Sequence, residues 1–105
     1  MHKILAITAC LALGASACAG IVTVDRDSEP YGMGYLSGRL MHDADPSHTP
    51  DDKEIVSRCG TFRDAAHQKS SMPDDAEHNL NFMDGCKSGM KGESPPEGLR
   101  KYFDR

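Results

Sequence analysis

The sequence predicts an all-α protein: a small three-helix domain stapled by one disulfide. Three observations predict it. Apolar residues recur at three- and four-residue steps over three stretches, each preceded by residues that favour a helix start. Cys59 and Cys86 each fall on an apolar face defined by that spacing. Two of the stretches, YGMGYLSGR and FMDGCKSGM, share the pattern aromatic-x-x-Gly-x-x-Ser-Gly.

The first helix is expected to begin near Pro30, a residue suited to a first helical turn, with Ser28 or Glu29 as the cap. Tyr35, Leu36 and Leu40 are its candidates for burial. The second helix is read from HTPDDKE: Thr49 as the N-cap, Pro50 at the first position, and Asp51, Asp52 and Glu54 at the positive end of the helix. Ile55, Cys59, Phe62 and Ala66 then share one face. The third starts in MPDDAEHN, where Asp74 and Glu77 have the spacing of a capping box. Asn79, Phe82, Met83, Cys86 and Met90 follow with helical periodicity, and KGESPPEG stops the run. The helical domain therefore covers residues 30–92. A tail, 93–105, carries Pro and Gly and one short helix whose Leu99, Tyr102 and Phe103 are expected to pack back.

The repeat places Gly34 and Gly38 on the first helix and Gly85 and Gly89 on the third. Glycine in a helix interior costs about 1 kcal/mol relative to Ala. Four of them at four-residue spacing clear a stripe on each helix, and a close helix crossing is the expected use.

Residues 1–17 read as a signal peptide. Lys3 is the one cation, an uncharged apolar run follows to Ala15, and small residues end it. The run is shorter than the ~20 residues a membrane-spanning helix needs. Ala15-Ser16-Ala17-Cys18 resembles the bacterial lipobox, with Ala15 where Leu is usual. That resemblance implies lipid attachment at Cys18 and a membrane anchor. Ordinary signal peptidase cuts before Cys18 or before Gly20 also fit the small residues. Cysteine parity separates these routes. Of Cys10, Cys18, Cys59 and Cys86, the first leaves with the leader. If Cys18 is lipidated or removed, Cys59 and Cys86 are left to pair, whereas a standard cut before Cys18 leaves an odd thiol. Residues 18–29 read as a flexible tether between anchor and domain.

Roughly 85 residues remain after cleavage, enough for one small domain. The formal net charge is −4, and the loss of Lys3 makes the remainder more acidic. No basic patch tracks a phosphate backbone, so nucleic acid is not an expected partner. With no Trp, three Tyr and three Phe, the chain has little aromatic surface to bury. Small exported domains compensate with disulfides. Closing the loop of about 25 residues between Cys59 and Cys86 is worth on the order of 3 kcal/mol.

The interval between these cysteines, closing on FMDGCKSGM, resembles small exported or lipid-anchored proteins of actinobacteria and their phages. Many of those end in an aromatic-x-x-Gly-Cys-x-x-Gly helix. The resemblance spans about Tyr31 to Lys91. It implies the exported location and the disulfide and brings no activity.

One stretch carries ligand chemistry. On the calcium loop of an EF-hand, DADPSHTPDDKE puts Asp43, Asp45, Ser47, Asp51 and Glu54 at the oxygen-donating positions. His48 stands where that loop needs Gly, and Pro50 where it needs an N–H donor. His42, His48, His67 and His78 show no helical i, i+4 pairing for a metal. Neither a nucleophile elbow nor a phosphate-binding glycine loop is present. The expectation is a cell-envelope lipoprotein or secreted protein without enzymatic activity or cofactor that binds another envelope protein. Calcium binding by residues 43–54 is the alternative.

Overall fold

The computed structural model describes residues 22–103. Among them are three α-helices, α1 (Glu29–Ala44), α2 (Asp52–Lys69) and α3 (Ala76–Met90), and a 3-10 helix, Glu97–Tyr102. The fold is all-helical, as the periodicity predicts.

Each helix starts at a side-chain cap. The Ser28 hydroxyl accepts the Tyr31 N–H at 3.3 Å, with Pro30 in the first turn of α1. The other two starts correct the sequence reading. Asp51, not Thr49, caps α2, its Oδ1 accepting the Glu54 N–H at 2.8 Å, so Pro50 precedes the helix. A carboxylate at this position both bonds the free N–H and meets the positive helix end. Asp75, not Asp74, caps α3 through the His78 N–H at 2.8 Å, and no Asp74–Glu77 capping box forms. Asp74 instead accepts the Asn79 side-chain amide at 2.9 Å. After Met90 the chain turns at Gly92, φ 70°. Gly92 N–H bonds to Gly89 and Glu93 N–H to Ser88, a Schellman closure that requires the left-handed residue. The His42 ring fills the space where a Gly92 side chain would stand.

α1 and α3 cross through backbone. A Cβ placed on Gly34 would strike the Phe82 carbonyl, and one on Gly38 would strike that of Cys86 and lie 2.8 Å from Met90 N. Reciprocally, a Cβ on Gly85 would strike the Tyr31 carbonyl, and one on Gly89 that of Tyr35. All four repeat glycines therefore line the crossing. Residue numbers rise together along both helices, so α1 and α3 are parallel and α2 runs back beside them. The shift that aligns Tyr31 with Phe82, Gly34 with Gly85 and Gly38 with Gly89 also converts each contact into its reciprocal. The repeat has become a local twofold axis.

This crossing decides which side of α1 is inside. Its buried residues are Tyr31, Gly34, Tyr35 and Gly38. Leu36 lies two residues from both glycines, about 200° round the helix. Contrary to expectation, Leu36 is 43% and Leu40 71% exposed. On the other side of α3, α2 contributes Ile55, Cys59 and Ala66 to a core with Phe82, Cys86 and Met90. Met33, Met41, Phe62 and Met83 pack around it, and Met72 closes one end. Cys59 and Cys86 are bonded and fully buried, as the apolar spacing predicts.

The two ends of the described chain also lie on the helices. Phe103 meets Tyr35 edge-on with centroids 5.7 Å apart, and Leu99 packs near Gly32. Tyr102 does not pack back and is 57% exposed. Residues 22–28 do not behave as a free tether. Asp25 N–H donates to Asn81 Oδ1 at 2.5 Å, Arg26 lies over the Tyr31 ring at 5.6 Å, and its guanidinium donates to the Ser94 carbonyl at 3.3 Å. The preceding part of the tether lies outside the described residues, as do Cys18 and the signal peptide.

Replacing Gly38 or Gly89 by Ala should destabilise the domain. Helix propensity favours Ala by about 1 kcal/mol, but the methyl meets backbone that cannot rotate away, and overpacking costs about 1–3 kcal/mol. Leu at either position should be worse. Gly60, inside α2, is the control: its nearest neighbour would be the end of the Arg63 side chain at 3.9 Å. Gly60→Ala should stabilise by up to about 1 kcal/mol. Urea melts of the variants check the opposite signs. Equal stabilisation at Gly38, Gly89 and Gly60 would refute the tight crossing.

Candidate functional site

An open groove of about 810 Å³ lies between the N-terminal arm and α3. The held arm creates it. Asn81, buried on α3, fixes Asp25, and Tyr31 supports Arg26, so Val22 and Val24 form one wall. Tyr31 and Leu80 add apolar surface, while Arg26, Asp84, Lys87 and Glu93 supply charge around it. Ser88, 5% exposed, donates its hydroxyl to Glu93 Oε1 at 3.0 Å. The groove thus offers apolar surface with charges of both signs.

A second surface is the outer side of α1. Leu36 and Leu40 are one turn apart there and stand clear of the α3 crossing. Their neighbour Arg39 turns toward the C-terminal tail. It donates to Asp43 Oδ1 and to the Tyr35 hydroxyl, both at 2.9 Å, and lies 4.7 Å over the Phe103 ring. The Tyr35 hydroxyl in turn donates to the Glu93 carbonyl at 2.5 Å. This cluster clamps the tail against α1.

The residues of the acidic stretch each have other partners. Asp43 pairs with Arg39 on α1. Asp45 accepts the Ser47 hydroxyl at 3.1 Å. Asp51 caps α2, and Glu54 Oε1 lies 2.7 Å from His48 Nε2. The structure does not bring these five oxygens round one point. Among the described residues, no three His, Cys, Asp or Glu side chains are grouped to hold a metal ion. The histidines are likewise separate: His42 packs on Gly92, His67 Nδ1 lies 2.9 Å from the Met72 carbonyl, and His78 Nδ1 lies 2.7 Å from Asp75.

Sequence reasoning missed both surfaces. Residues 22–28 show no periodicity that announces a docked arm, and the only local hint is the VTV alternation before Asp25. Leu36 and Leu40 look like core because their spacing is helical.

No protein-family model matches the chain, and neither a curated protein nor a solved structure matches it.

Two ionic pairs give the domain a pH profile. The hydrogen bond that the His48 ring donates to Glu54, aided by the charge of Glu54 and by Asp45 and Asp51, raises His48 above its ordinary 6.5. The stabilisation is complete below 6.5 and is lost as pH rises through the raised value. Asp75 behaves oppositely. The His78 backbone N–H, then its side chain, lowers the carboxyl below 3.8. Its stabilisation is present above 3.8 and is lost as pH falls through the lowered value. Melting temperature should therefore decline on both limbs. Glu54→Gln should flatten the neutral limb and leave the acid limb unchanged; an unaltered neutral limb would remove His48 from the account.

Proposed function

We propose that this protein is an envelope lipoprotein or secreted protein whose helical domain binds another protein at the cell surface. The observation that carries the binding role is the exposed pair Leu36 and Leu40 on a helix whose inner side is already filled by α3. Two exposed leucines cover little area. Placed one turn apart on a rigid helix, they have the spacing by which a helix anchors in a partner's groove. The disulfide supports an oxidising compartment. Among the described residues, no helix is long and apolar enough to cross a membrane. The lipobox-like Ala15-Ser16-Ala17-Cys18 supports attachment through a lipid on Cys18.

The location and the binding role have separate tests. Labelled fatty acid should enter the protein, and Cys18→Ala should release it from membranes or leave it unprocessed. A mature N-terminus at Gly20 without lipid would make it a secreted protein instead. For binding, a photo-crosslinking residue at position 36 or 40 should capture one discrete partner that the same residue at 57 does not. Leu36→Asp with Leu40→Asp should abolish that capture while each change alters stability by within about 0.5 kcal/mol, as exposed sites do. A captured species unaffected by the double change would sink the role given to α1.

A further inference from the structure

We infer that the anchored domain rests on the bilayer with its groove side down and α2 facing away, an orientation imposed by the shortness of the tether. This rests on anchoring at Cys18. The expected tether of residues 18–29 is largely used up, because Asp25 is bonded to Asn81 on α3 and Arg26 is bonded to Ser94 and stacked on Tyr31. Val22 already lies in the groove wall. Only four peptide steps connect it to Cys18, and even fully extended these reach about 14 Å.

That reach excludes one orientation. Asp84 and Lys87 line the groove on α3. Cys86, bonded to Cys59 of α2, is two residues from Asp84 and so about 200° round the helix. α2 therefore lies behind α3 as seen from the groove. Neighbouring helix axes are about 8–10 Å apart, and each helix with side chains is about 10–12 Å across. The outer surface of α2 is thus about 20 Å from the groove side of α3. A chain leaving Val22 cannot pass round α3 to that surface within four steps. The α2 side is therefore kept off the lipid, and the side bearing Val22 is the one held nearest to it.

Charge does not select this orientation. The groove side carries Arg26 and Lys87 but also Asp25, Asp84 and Glu93. Its attraction to anionic headgroups is not favourable overall, so the orientation should survive high salt. The outer side of α1, with Leu36 and Leu40, is neither under the domain nor covered by α2, and stays open to a partner.

The test anchors the domain independently of cellular lipidation. A hexahistidine tag ends at residue 17, Cys18→Ser removes the native site, and the protein is bound to vesicles containing nickel-chelating lipid and a headgroup spin-labelled lipid. One fluorophore is attached through Lys87→Cys in the groove wall or Ser57→Cys on the outer side of α2, both exposed. The label at 87 should be strongly quenched and the label at 57 unquenched, at low and high salt alike. A Gly-Ser linker of about 20 residues inserted between Ala19 and Gly20 should abolish the difference. Equal quenching at both positions, no quenching at either, loss of the difference in salt, or its persistence with the linker would each overturn the inference. Fatty-acid analysis of the native protein decides separately whether Cys18 is lipidated, so failure of anchoring and failure of orientation remain distinct.

Discussion

At Gly34, Gly38, Gly85 and Gly89, main-chain atoms of α1 and α3 come close enough that no side chain fits between them. The remaining packing depends on that approach. Glycine weakens each helix on its own, so neither is stabilised by propensity. The crossing replaces propensity with dense van der Waals contact and with carbonyl oxygens set against opposing Cα atoms. Gly-x-x-x-Gly pairs serve membrane helices in the same way, where no hydrophobic effect is available. Here the same device suits a chain with few large apolar side chains. It also explains why the disulfide joins α3 to α2 rather than to α1. The α1–α3 contact has no room for two Cβ–Sγ groups, whereas α2 meets α3 through side chains.

Much of this was legible in the sequence, because it follows from residue type and spacing. Helical periodicity located three helices, Cys59 and Cys86 lay on facing apolar sides, and the repeated glycines implied a tight contact. What was not legible depends on which direction each helix turns. Leu36 and Leu40 have core spacing, but the glycine stripe wins the inner position because a closer backbone approach recovers more contact than two leucines would across a wider gap. The caps at Asp51 and Asp75 are not legible in the sequence because another capping residue stands close before each. In Thr49-Pro50-Asp51 and Asp74-Asp75, only the final geometry shows which side chain reaches the free N–H. The docked arm was illegible because its bonds run to Asn81 and Ser94, far along the chain.

The local twofold axis ties these observations together. A symmetric pair of crossing helices has two equivalent sides, yet a single chain covers them differently. On one side, Phe82, Cys86 and Met90 of α3 receive α2. Their counterparts on α1 are Tyr31, Tyr35 and Arg39, which share the other side with Arg26, Glu93 and Phe103. The first side is sealed by a full helix and a covalent bond. The second is covered by two short segments held through hydrogen bonds and ring contacts. Between them the cover is incomplete, and the groove is what remains of the position that a fourth helix would fill. The segment that only partly fills it is also the one by which the described chain begins, so the less covered side of the helix pair is the side at which the N-terminal arm enters the domain.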